Sequence, residues 1–179
     1  TGEPEDADRV RAIRKARPDV WLGVDANQGF TRGFLEQLMP TLLETNVKLI
    51  EQPFRTGEEA QLDGIKSTIP FAADESAQTL ADLPGLVGRF QVVNIKLDKC
   101  GGLTEGLLMA KRARELGKKV MVGNMAGSSL AMGPGFVLGQ YCDVVDLDGP
   151  IFLAQDRNPG VVYRDGFIDC PADVWGYPR

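Results

Sequence analysis

Short apolar, β-branched runs recur along the chain at Val20–Val24, Lys48–Ile50, Phe71–Ala73, Val92–Ile95, Lys119–Val122 and Val144–Val145. Each reads as a strand, and the stretches between them have helical spacing. Leu35, Leu38, Met39, Leu42 and Leu43 fall on one helical face, as do Leu107, Leu108, Ala110, Ala113 and Leu116. A helix over Asp6–Ala16, stopped by Pro18, is predicted ahead of the first strand. Thr104 and Ser128 or Ser129 are the expected helix N-caps, and Gly117 the expected C-terminal stop.

Strands alternating with helices at roughly 25-residue intervals predict βα units around a parallel sheet. An open doubly wound sheet would want a glycine fingerprint after its first strand. Neither GxGxxG nor GxxxxGK[ST] occurs. Polar residues gather instead at the C-terminal ends of the strands, where βα-barrel enzymes place their chemistry. The expected fold class is therefore α/β, the C-terminal portion of a TIM-like (β/α) barrel built from about six βα units. A full barrel has eight strands, so two strands are expected upstream of Thr1 in the intact protein. The whole chain, residues 1–179, reads as one partial barrel domain. Its aromatic, Pro-containing tail, Pro171–Arg179, is expected to pack on a neighbouring domain.

Composition narrows the function classes. A net charge of -5 and a pI near 4.8 argue against nucleic-acid binding, which needs clustered Lys and Arg. No apolar run reaches the ~18 residues that span a bilayer, and no signal-peptide pattern opens the chain, so a cytoplasmic location is expected. Cys100, Cys142 and Cys170 are widely spaced without a CxxC pair and read as reduced thiols. The chain contains no histidine, which excludes Ser-His and Cys-His mechanisms within it. Carboxylates and lysine are left.

Asp25, Glu51 and Asp74 end three consecutive predicted strands. One acid at a strand end is a common helix cap. Three on neighbouring strands ~4.8 Å apart converge, and would repel unless a cation lay between them. An all-oxygen set suits a hard ion, with Mg²⁺ the natural choice. Glu75 is a rival for Asp74; strand alternation lets only one face inward, and Asp74 is preferred. Lys96 lies inside the apolar run of the following strand, where a lysine is costly unless it faces a polar barrel mouth. It is the candidate general base; Lys99, followed by two glycines, is expected in the loop. Asp146 and Asp148, two apart on the last strand, share a face and read either as a binding pair or as part of a capped turn.

Taken in order, DAN at 25–27, EQP at 51–53, ADES at 73–76 and NIKLDKCGG at 94–102 resemble the muconate-lactonizing subgroup of the enolase superfamily. DLDGP at 146–150 resembles the DxD signature of its dipeptide epimerases. The resemblance covers essentially the whole chain. It implies Mg²⁺ held by Asp25, Glu51 and Asp74, with Lys96 as one of two acid/base lysines. It implies Asp146 and Asp148 as binders of a dipeptide's α-ammonium group, and Asn27 and Gln52 as supports of the metal site. The implied reaction is epimerisation of a dipeptide such as L-Ala-D/L-Glu by α-proton abstraction, in a soluble enzyme that is often a homo-oligomer. The family's second lysine, in a KxK motif, and its N-terminal capping domain are expected upstream, and the isolated chain is expected to be inactive. The alternatives are an N-acylamino acid racemase, an o-succinylbenzoate synthase, a cycloisomerase, or a non-catalytic barrel remnant. A sugar-acid dehydratase fits poorly, because those relatives use a histidine.

Overall fold

A computed structural model describes residues 2–175. The elements run α1 (Asp6–Ala16), β1 (Gly23–Asp25), α2 (Arg32–Glu44), β2 (Leu49–Glu51), β3 (Phe71–Ala73) and β4 (Val92–Lys96). They continue with α3 (Leu97–Cys100), α4 (Leu103–Glu115), β5 (Lys119–Gly123), α5 (Ser129–Gly139) and β6 (Val144–Val145). A hairpin of β7 (Val162–Arg164) and β8 (Phe167–Asp169) precedes α6 (Ala172–Trp175). Strands β1 to β6 form a six-stranded sheet in chain order, and β1–β2, β2–β3 and β5–β6 pair in parallel. The sequential βα order is that of a TIM-like barrel portion. Two compact units are distinguished. One gathers the chain up to Ser76 with Leu86–Val92, the other Ala77–Gly85 with the chain from Val93 onward.

In the first unit, α2 starts where the Thr31 hydroxyl accepts the Phe34 N–H at 3.2 Å. Its Leu35, Leu38, Met39 and Leu42 are buried at the spacing that defines one helical face. Helix α1 has Asp6 and Asp8 in its first turn and Arg14 and Lys15 in its last, matching the helix dipole. The Arg14 guanidinium donates to the Val20 and Thr45 carbonyls, each at 2.8 Å, tying α1 to the chain that enters β1 and leaves α2. These bonds fix the base of β1 and so the height at which Asp25 stands.

In the second unit, α4 buries Gly106, Met109, Ala110 and Ala113. Its N-cap is Gly102, at φ 113°, and not the expected Thr104. The chain turns sharply through Gly101 and Gly102, both at positive φ, so the helix begins earlier than a hydroxyl cap would place it. Lys99 accordingly lies in the helical turn α3 and not in a loop. Gly117, at φ 71°, follows α4 as expected. Ser128 is the N-cap of α5 but its side chain makes no capping bond. Instead the Asp156 carboxylate accepts the Ser129 N–H at 3.0 Å, and the Ser129 hydroxyl donates to it as well.

The described part of the tail, α6, packs on α5 of its own unit: a Cβ on Gly133 would stand 3.0 Å from Trp175. Residues 176–179 of the expected tail lie outside the described residues. The β7–β8 hairpin was not foreseen. Its turn is Asp165-Gly166, both at positive φ, a strong two-residue hairpin signal.

Candidate active site

The acids of the first unit stand where β1, β2 and β3 end. Register pairs Asp25 with Glu51 and Glu51 with Ala72. Register partners on parallel strands share a face, so Asp25 and Glu51 do; Asp74 follows directly in the bend that ends β3, and Glu75 lies in the turn beyond. Glu51 and Asp74 are buried, at 7% and 3% exposure, whereas Asp25 is exposed. One Asp25 carboxylate oxygen, Oδ1, accepts the backbone N–H of Asn27 at 2.7 Å, so this acid also shapes the turn after its strand. Asn27 thus contributes its backbone, at φ 46°. Among the described residues, no three carboxylate or thiol side chains stand gathered tightly enough to hold an ion. What the backbone provides is a row of hard oxygen donors at the ends of three strands, the chemistry that Mg²⁺ requires.

Gln52 holds that row in place. Its backbone lies in the left-handed region, at φ 32°, which swings its carbonyl out of the β2–β3 ladder to accept the Gln28 N–H at 2.8 Å. The side-chain amide takes over the vacated role: Oε1 accepts the N–H of Asp74 at 3.0 Å and of Ser76 at 3.1 Å. Nε2 donates to the Phe54 carbonyl at 2.9 Å and to the Ser76 hydroxyl oxygen at 2.8 Å. Every donor and acceptor of this fully buried amide is used. The Ser76 hydroxyl in turn donates to Glu59 Oε1 at 2.7 Å. Burial pushes the Glu59 carboxyl up, but the Ser76 hydroxyl and the Gly57 N–H outweigh it, and the group ends below its ordinary range. Strand-end residues at positive φ cost free energy and persist where surrounding bonds over-determine them, a pattern concentrated at functional sites.

In the second unit, Lys96 closes β4 and is half-buried. Asn94, two residues earlier and 1% exposed, shares its face. Both lie against Gly123 at the end of β5: a Cβ there would stand 2.7 Å from Asn94 Oδ1 and 3.0 Å from Lys96 Cε. Gly123 is therefore the groove along which the lysine side chain runs. Neither Asn94 nor Gly123 was singled out in the sequence; the alternation within NIK could have found Asn94.

Asp146 and Asp148 flank Leu147, whose side chain is buried, at 4% exposure, against the open face of Gly135 on α5. The backbone of Asp148 starts a 3₁₀ turn, its carbonyl accepting the Ile151 N–H at 2.9 Å, but its carboxylate makes no capping bond. The turn is made without the carboxylate. Asn124 Oδ1 accepts the Gly149 N–H at 2.7 Å, and a Cβ on Gly149 would stand 2.6 Å from that same oxygen. No helix among the described residues is long and apolar enough to cross a membrane.

Residues 2–174 match the family described as "Enolase C-terminal domain-like". The chain is 48% identical over 169 residues to an N-acetyl-D-glutamate racemase of a Pseudoalteromonas species, covering 94% of this chain and 54% of that protein. It is 39% identical to the L-Ala-D/L-Glu epimerase of Escherichia coli, covering 89% of this chain and 50% of the relative. A solved enolase family member from Agrobacterium tumefaciens, with homology to dipeptide epimerases and with bound sodium and L-Ala-L-Glu, superposes with TM-score 0.93 at 43% identity. That match covers 98% of this chain and 54% of the solved one. The dipeptide epimerase of Methylococcus capsulatus, complexed with Mg and L-Arg-D-Lys, superposes with TM-score 0.87 at 31% identity, covering 95% of this chain and 51% of that one. The chain spans about half the length of the relatives it matches. The order of the βα units agrees with these matches, and the chain belongs to the enolase C-terminal domain-like family of the enolase superfamily.

Proposed function

We propose that the intact protein epimerises a dipeptide such as L-Ala-L-Glu at the α-carbon of its C-terminal residue, in a Mg²⁺-dependent reaction. Asp25, Glu51 and Asp74 are the residues that would hold the metal. When bound, Mg²⁺ supplies positive charge to the substrate carboxylate, without which the neighbouring carbon is too weak an acid to give up its proton. Glu51 and Asp74 stay fixed through burial and through the Gln52 amide. Lys96 moves the proton at the substrate's α-carbon, acting as base toward one configuration and as acid toward the other. Inversion needs a second proton carrier on the opposite face of that carbon. In the resembling family this is a lysine of a KxK motif on another strand, so the 179-residue stretch alone is proposed to be inactive. Asp146 and Asp148 bind the dipeptide's ammonium group.

The observation that carries the dipeptide reading is the Asp148 carboxylate, which the turn it begins does not use. Two neighbouring anions repel each other, which an ammonium partner offsets and an uncharged acyl group does not. A second reading, racemisation of an N-acylamino acid, is favoured by the 48% identity to an N-acetyl-D-glutamate racemase. The two share an acylated amino acid and differ in the ammonium. Incubating the full-length protein in D₂O with Mg²⁺ and each substrate, and following α-proton exchange by NMR, separates them. Exchange into L-Ala-L-Glu with inversion to L-Ala-D-Glu, the inversion lost in Lys96→Ala and weakened in Asp148→Asn, supports the dipeptide reading. Exchange into N-acetyl-D-glutamate alone overturns it, and unaltered inversion in Lys96→Ala overturns the role of the lysine.

A further inference from the structure

We propose that Tyr163, on β7 of the terminal hairpin, is a positioning residue for the Asp146/Asp148 pair, and that Asn124 is its counterpart on β5's following loop. This rests on the dipeptide reading. The Tyr163 hydroxyl donates to the carbonyl of Leu147, the residue between the two aspartates. Three bonds from three elements then define this short segment. The Asp146 N–H donates to the Val122 carbonyl at 2.9 Å, the Tyr163 hydroxyl holds the Leu147 carbonyl, and Asn124 Oδ1 holds the Gly149 N–H at 2.7 Å. Leu147 buries its side chain against Gly135, while Asp146 is exposed and Asp148 half-buried, so the segment turns its apolar side chain inward and leaves its acids accessible. Where the Leu147 peptide lies therefore sets where both carboxylates project.

A merely structural role fits this geometry less well. Tyr163 is half-buried on a two-stranded hairpin whose other members are mostly exposed, so its ring adds little to the core. The charges near its hydroxyl include those of the pair it positions. Burial, then the carboxylates of Asp148, Asp156 and Asp146, push the phenol up to about 12, which keeps it protonated and able to donate. A tyrosine at this point serves the acid pair more than the fold.

The test is Tyr163→Phe in the full-length protein, which keeps the ring and removes the donor. Kinetics with L-Ala-L-Glu give kcat and KM, and competitive inhibition by N-acetyl-L-glutamate reports binding of a ligand without the ammonium. The expected result is a KM raised about tenfold, the scale of one lost hydrogen bond, with kcat and the inhibition constant within about twofold of wild type. Asn124→Ala, assayed in the same way, carries the same expectation if the Phe variant does not fold. Unchanged KM in both variants overturns the proposal. So does a parallel weakening of dipeptide and inhibitor, which would mark general loosening of the site. Absence of dipeptide turnover by the wild-type protein is a different result: it overturns the dipeptide reading itself.

Discussion

Replacing Gln52 by Leu tests whether one buried amide holds the acid row together. The side chains are of similar size, so the change removes hydrogen bonds while leaving little cavity. Gln52 is fully buried and makes four side-chain bonds. Without it the N–H groups of Asp74 and Ser76 and the carbonyl of Phe54 lose their partners inside the protein. The Ser76 hydroxyl still donates to Glu59. Each stranded buried group costs about 1–3 kcal/mol, and local relaxation recovers part of that. The expected loss is about 3–5 kcal/mol, near the upper end for a single substitution. With a urea slope of about 1–3 kcal/mol per molar, the unfolding midpoint of the full-length protein falls by about 2 M. Gln52→Glu sets a carboxylate oxygen against the Phe54 carbonyl in a fully buried position, so it is expected to be no more stable than the Leu variant. If Gln52→Leu unfolds within about 1 kcal/mol of wild type, the four bonds are dispensable and the account of the row is wrong.

Two further outcomes follow from the same contacts. Gly123→Ala places a methyl 2.7 Å from Asn94 Oδ1 and 3.0 Å from Lys96 Cε, and Asn94, at 1% exposure, has no room to withdraw. The lysine must move, so α-proton exchange should fall about 100-fold, with a stability loss of about 1–3 kcal/mol by thermal melting; exchange at the wild-type rate would show that Lys96 does not depend on that groove. The Asp156 carboxyl is held below its ordinary value by the Ser129 hydroxyl and then by the Ser129 N–H. A depressed folded pKa stabilises above the unfolded value of about 3.9 and loses that contribution as pH falls through the folded one. Asp156→Asn should therefore lower Tm at neutral pH and flatten its decline below about pH 4, whereas parallel wild-type and variant curves would remove Asp156 from the acid limb.

Much of the fold was legible because βα alternation leaves a strong pattern. The runs at Phe71–Ala73 and Val144–Val145 and the helix Asp6–Ala16 have the expected bounds. The first strand is Gly23–Asp25 and not Val20–Val24, for a local reason. Trp21 folds back over Gly23, where a Cβ would stand 2.9 Å from its ring, so the apolar residues before Gly23 approach the strand without joining it. The hairpin escaped because the alternation directed attention to parallel strands, although Asp165-Gly166 spells a two-residue turn.

The site divides in the same way. That Asp25, Glu51 and Lys96 close strands, and that Asp74 directly follows one, was legible from the apolar runs before them. The residues that hold them act at a distance: Gln52 on Ser76 across 24 positions, Asn124 on Gly149 across 25, Tyr163 on Leu147 across 16. No local spacing rule encodes such pairs, since they depend on which strands become neighbours. Asp148 shows the difference most clearly. Its sequence fits a turn cap and a ligand-binding acid equally well, because both want a carboxylate before glycine and proline. In the structure the turn is closed by the Asp148 carbonyl and by the Gly149 N–H on Asn124 Oδ1, and the Asp148 carboxylate makes no capping bond. An asparagine there would close that turn equally well, so any loss of activity in Asp148→Asn at unchanged stability belongs to the charge.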